Sequence, residues 1–382
     1  MFRLRSIALV IALLAGTCLA PARALRAKHP IPPTRNPHSP GFVKARELLG
    51  GSVAPANAAI CAFVAVVAGR NQSEETRVRQ RLAPPPDWAF VVEPPASASH
   101  APAKSADDTP RHVPGSQAAF TLRQINDGFN PPDWHPAEHP PMPEIVAHGR
   151  RPDVLACGYC HLPNGQGRPE NASLAGLPAA YIVQQMADFK DGLRKSSKIT
   201  VPISAMITHE AKATPKEIKA AAEYFSRLKP KPWIHVVETR TVPRTHAEDW
   251  MMIPVGRGGT EPIGQRIIET PVNVEQTKLR NDESGFIAYV PVGSVEKGKA
   301  LVTTGGAAKT VQCAVCHGPG LRGSGNVPSI AGRSPSYIVR QLYDFRSGAR
   351  AGADAELMKP VTAKLTLDDM LSIAAYLATL NP

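Results

Sequence analysis

The sequence predicts a mainly α protein: two tandem helical modules, 144–232 and 291–382, preceded by a proline-rich extended arm and joined by an irregular connector with short β runs (233–290). Three observations predict it. One segment occurs twice, both copies carry helical spacing of apolar residues, and the prolines gather chiefly outside the two copies. Proline accounts for 39 of 382 residues, roughly twice average usage, too many for one continuous bundle or sheet.

The repeat comes first, because missing it would mis-assign the fold. Residues 173–192 read SLAGLPAAYIVQQMADFKDG and residues 329–348 read SIAGRSPSYIVRQLYDFRSG, identical at ten of twenty positions at an offset of 156. Tyr181, Gln185 and Phe189, matched by Tyr337, Gln341 and Phe345, keep a four-residue helical spacing. Met206 and Met358, like Tyr224 and Tyr376, pair at an offset of 152, so the copies differ in length by four residues between 192 and 206. Each module is expected to end in a helix, 216–228 and 367–380, with Thr214 and Thr366 as N-caps and Pro215 at the first helical position.

The arm (25–143) is broken by Pro84-Pro85-Pro86, Pro94-Pro95, Pro131-Pro132 and Pro140-Pro141, yet carries Trp88, Phe90, Phe120, Phe129 and Trp134. Those aromatics predict a segment packed on a folded domain. His135, His139 and His148 are read as surface histidines. Ahead of the arm, Arg3 and Arg5, an apolar run from Ile7 and Ala22-Arg23-Ala24 form a secretory signal over 1–24. A second apolar stretch at 53–69 reads either as a signal or membrane anchor, which would associate the chain with a membrane, or as a buried helix. The chain is therefore expected on the exported, periplasmic side. Its formal charge of +12 carries no long Lys/Arg run or zinc-finger spacing, so nucleic acid is not an expected partner. A solvated basic surface, or docking to an acidic partner, accounts for it.

Four of the six cysteines fall in two pentads, Cys157-Gly-Tyr-Cys160-His161 and Cys313-Ala-Val-Cys316-His317. C-x-x-C-H is the attachment pattern of a c-type haem. Two thiols three residues apart on a helical turn can each add to one haem vinyl group, and the next histidine reaches the iron. A redox dithiol, half a zinc site and a local disulfide are the competing readings. None requires two complete repeats, each with a histidine. A sixth ligand is sought among methionines. Met358 and Met206 each lie 18 residues before the module's last tyrosine. Met186 and Met370 are read as core, and His209 is the rival to Met206.

These residues resemble class I cytochrome c domains in tandem, as in dihaem cytochromes of the c4 type. The resemblance implies two covalent haem c groups on Cys157, Cys160, Cys313 and Cys316, with His161, Met206, His317 and Met358 as axial ligands. It further implies a terminal helix crossing the first helix, and a backbone carbonyl accepting from each proximal histidine, at Pro328 in the second module and Ala172 in the first. Arg194 and Arg350 share the 156 offset and are read either as partners of haem propionates or as exposed helix-end cations. The expected function is electron shuttling between periplasmic or membrane redox partners, without catalysis. A dihaem peroxidase, or a cytochrome subunit of a periplasmic dehydrogenase, is the alternative.

Overall fold

Each repeat forms helices where its apolar residues recur on one face, and the computed structural model describes residues 83–92 and 108–382. The export signal at 1–24 and the apolar stretch at 53–69 lie outside the described residues. Among the described residues no helix is long and apolar enough to cross a membrane.

The arm contributes a short helix, α1 (Leu122–Ile125), closed by a capping box between Thr121 and Gln124. The first repeat follows with α2 (Glu144–Ala147), α3 (Cys157–His161), α4 (Ala179–Lys190), α5 (Val201–Thr208) and α6 (Pro215–Arg227). Its core gathers Val146, Val154, Ile182, Tyr224, Phe225 and Leu228. The connector carries seven short strands around one helix: β1 (Ile234–Thr239), β2 (Thr241–Pro243), β3 (Thr245–Glu248), β4 (Met251–Pro254), β5 (Thr260–Pro262), β6 (Ile268–Pro271), α7 (Val274–Lys278) and β7 (Phe286–Pro291). The second repeat has α8 (Ser294–Thr304), α9 (Ala314–His317), α10 (Pro335–Ser347), α11 (Lys359–Thr362) and α12 (Leu367–Ala378).

The cap residues behave as their chemistry requires. Thr214 accepts from the Glu217 backbone N–H while Glu217 accepts from that of Thr214, and Thr366 and Asp369 do the same at α12. In the second module α8 crosses α12, and Gly298 is what lets them touch: a Cβ there would overlap the Ser372 carbonyl. The first module has no such helix. Prolines 140, 141 and 143 remove helix donors, and only the four-residue α2 forms, with Met142 standing where the repeat has Gly298.

The connector is more ordered than an extended wrap. β1 runs parallel to β7, and β6 antiparallel to it, in the order β1-β7-β6. β7 buries alternate residues, Phe286, Ala288 and Val290, as a one-sided strand should. Glu269 on β6 then closes the start of α10, accepting from Ser334 Oγ at 2.7 Å and from the Ser336 N–H at 3.1 Å. The arm packs on this connector: buried Trp134 donates from Nε1 to the Leu279 carbonyl at 2.8 Å and meets Phe120 edge-on at 4.7 Å. His135, expected at the surface, is buried instead, with Nδ1 2.6 Å from Asp282. A carboxylate 147 residues away makes that burial tolerable.

Candidate haem sites

α3 places Cys157, Cys160 and His161 on one turn, and all three line a single cavity together with Met206 from α5. His161 is buried, and its Nδ1 lies 2.8 Å from the Ala172 carbonyl. A carbonyl can only accept, so Nδ1 carries the proton and Nε2 keeps a lone pair. Desolvation holds His161 down at about 4, neutral at physiological pH, with the Ala172 bond opposing it only in part. The next residue turns the chain with φ 62° at Leu162 and φ 72° at its repeat partner Gly318. Glycine adopts that conformation without strain; leucine does not.

The second set repeats this local geometry. Cys313 caps α9, which carries Cys316 and His317. His317 Nδ1 lies 2.8 Å from the Pro328 carbonyl, eleven residues on, as His161 does from Ala172. Met358 sits between the 3-10 turn Ala353–Leu357 and α11. Its segment is tied to the cysteine loop, because Thr310 Oγ1 donates to the Val361 carbonyl at 2.8 Å. The matching tie in the first module runs from the Leu155 N–H to Glu210 Oε1 at 3.3 Å.

Burial decides between the competing chemistries. It pushes the Cys160 and Cys313 thiols up to about 11 and raises Cys157 as well. A redox dithiol needs the opposite, a stabilised thiolate. All four cysteines stand unpaired in the structure. Among the described residues no group of three or more His, Cys, Asp or Glu is arranged to hold a bare metal ion. The residues present therefore fit a covalently attached haem.

One methionine reading changes. Met206 lies inside α5, but Met186 is not core: it is half-buried on the cavity wall. Its repeat partner Leu342 is buried and has no ligating atom. His209 is exposed and outside the cavity lining, whereas Met370 is fully buried core.

Sequence reasoning missed the seam between modules. Arg194 donates to Tyr337 Oη at 3.2 Å and Gln341 Oε1 at 3.4 Å, both in the second module. Arg350 donates to Gln185 Oε1 at 2.6 Å and Tyr181 Oη at 3.4 Å, both in the first. The 194 and 350 backbones pair as an antiparallel bridge. Neither arginine is a free helix-end cation. The signal was present, since Tyr181/Tyr337, Gln185/Gln341 and Arg194/Arg350 all share the 156 offset. Arg333 and Arg340, which break the repeat against Leu177 and Gln184, also cross the seam: Arg333 to the Ser173 carbonyl at 2.7 Å, Arg340 to that of Pro169 at 2.6 Å.

A cytochrome c family model matches residues 295–381. Cytochrome c-554(548) of Halomonas halodenitrificans is 35% identical over 65 residues, 17% of this chain and 78% of that protein. A thiosulfate dehydrogenase electron acceptor of Thiomonas intermedia is 28% identical over 59% of this chain and 79% of its own length. Cytochrome c4 of Azotobacter vinelandii is 25% identical over 60% and 86%. With two C-x-x-C-H turns, a carbonyl behind each histidine and these relatives, the chain belongs to the cytochrome c family and is c4-like.

Proposed function

We propose that this electron-transfer cytochrome carries two haem c groups, one per repeat. Cys157 and Cys160 hold the first, with His161 and Met206 as axial ligands; Cys313 and Cys316 hold the second, with His317 and Met358. The observation that carries this is the one cavity walled by Cys157, Cys160, His161 and Met206. Haem c supplies a reversible one-electron iron couple, and methionine ligation raises its potential. The chain's own residues orient and exclude. The Ala172 and Pro328 carbonyls fix the two imidazoles, and Ile182, Phe189 and Phe225 keep water from the first cavity wall. Arg194, on the same wall, is placed to meet a propionate.

The partners in this reading are redox proteins met through weak, polar contacts on the exported side. A relative is named as an electron acceptor of thiosulfate dehydrogenase. That name favours a dehydrogenase of this kind as donor, and a role as its cytochrome subunit as the second reading. Neither demands catalysis from this chain.

The test is the optical spectrum of oxidised single variants. Met206→Ala and Met358→Ala should each abolish the methionine-to-iron charge-transfer band of one haem, whereas Met186→Leu, which installs the repeat partner, should leave both. Loss of a band in Met186→Leu would reassign the ligand. A high-spin haem in the wild type, with turnover of hydrogen peroxide, would replace electron transfer by peroxidase chemistry.

A further inference from the structure

The arm enters the first cavity. Pro84, Pro85 and Pro86 lead into a 3-10 turn, Asp87–Ala89, closed by the Ala89 N–H on the Pro86 carbonyl at 3.0 Å. The turn delivers Phe90, 2% exposed, into the lining of the cavity that His161 and Met206 also line. Two ties hold it there. Arg340, buried in α10, donates from one nitrogen to the Ala89 carbonyl at 2.7 Å and from another to the Pro169 carbonyl at 2.6 Å. One guanidinium thus joins the arm, the first module and the second. Lys198, between α4 and α5, pairs with Asp87 at 2.8 Å. An arm that merely crossed the surface would leave Phe90 in water and would not occupy a buried arginine.

We propose that residues 84–92 are a strap built into the first haem site, with Phe90 a positioning residue that screens that haem from solvent and thereby raises its potential. This rests on the haem reading above. Water stabilises the more highly charged ferric state, so excluding it favours the ferrous one. The matching motif of the second repeat is more open: Val315, between its cysteines, is 72% exposed, whereas its partner Tyr159 is half-buried.

The experiment uses the full-length holoprotein, with haem counted per chain and midpoints read by potentiometric titration. Phe90→Ala should keep two haems and lower one midpoint, leaving the other unchanged. Phe90→Leu, which keeps an apolar cover, should restore most of the shift. Asp87→Ala, at an exposed site where folding is not at risk, should move only that same midpoint and by less, because loosening the strap lowers it while removing a negative charge raises it. Unmoved midpoints in Phe90→Ala and Asp87→Ala, or equal movement of both midpoints, would overturn the strap while the haem reading stands. A wild-type chain without haem would overturn that reading and the strap with it.

Discussion

The two modules share motif, spacing and histidine geometry, yet they are built into different surroundings. The second has a long first helix of its own, α8, crossed with α12 at Gly298. The first lacks the long first helix and is completed from outside. Phe90 comes from the arm, Tyr337, Arg340, Gln341 and Asp344 come from the second module, and all of them line its cavity. Duplication has preserved the chemistry of attachment while enclosure has diverged. In the proposed reading the two haems would therefore be inequivalent even with identical ligand types, because burial and solvent access set potential alongside the ligands.

The second module's own helix pair breaks most easily at its crossing. Gly298→Val should cost about 3 kcal/mol or more, since no rotamer change can move the Ser372 carbonyl away from a Cβ. Chemical denaturation would read it. Met142→Gly, at the repeat position in the first module, should cost far less, because no helix crosses there.

A smaller loss is expected at Asp369. Burial alone would raise its carboxyl, but Lys309, the Thr366 cap and Lys297 outweigh burial and hold it below the usual carboxylate range. Asp369→Asn should cost roughly 1–3 kcal/mol by leaving charged partners half-satisfied. The pH dependence follows in sign: a depressed carboxyl stabilises above its ordinary pKa, and that contribution is lost as acid protonates it. The variant should therefore flatten the acid limb of the stability curve.

The first cavity titrates in the other direction. Burial pushes Glu170 up to about 8, opposed by Arg340 and Arg168 and reinforced by Glu269. Its Oε2 is buried without a hydrogen-bond partner. A raised carboxyl is neutral when folded, so its stabilising share is full below the ordinary carboxylate pKa and gone once pH passes about 8. The new negative charge there would also favour ferric iron. The first midpoint should fall through that window and the second should not, with Glu170→Gln abolishing the dependence. Potentiometry at pH 6 to 9 separates the two.

What was legible in the sequence was whatever repeats or acts locally. The cysteine–histidine turns, the terminal helices with Thr214 and Thr366 as caps, and the Ala172 and Pro328 positions behind the histidines all depend on near neighbours in the chain. What escaped depends on placement in space. Arg194 could not be matched to Tyr337 without the seam, nor Phe90 to the first cavity from beside a run of prolines. His135 was misread because Asp282 is remote in sequence. Met186 was misread because its repeat partner is buried while it faces the cavity, a difference of environment that a shared helix pattern conceals.

The inequality of the two sites is tested most directly by a redox titration of the wild-type holoprotein with haem counted per chain. Two haems should titrate as two separate one-electron waves, the strapped first haem at the higher potential, and Met358→Ala should displace only the lower wave. A single wave carrying both electrons, or displacement of the higher wave by Met358→Ala, would contradict it.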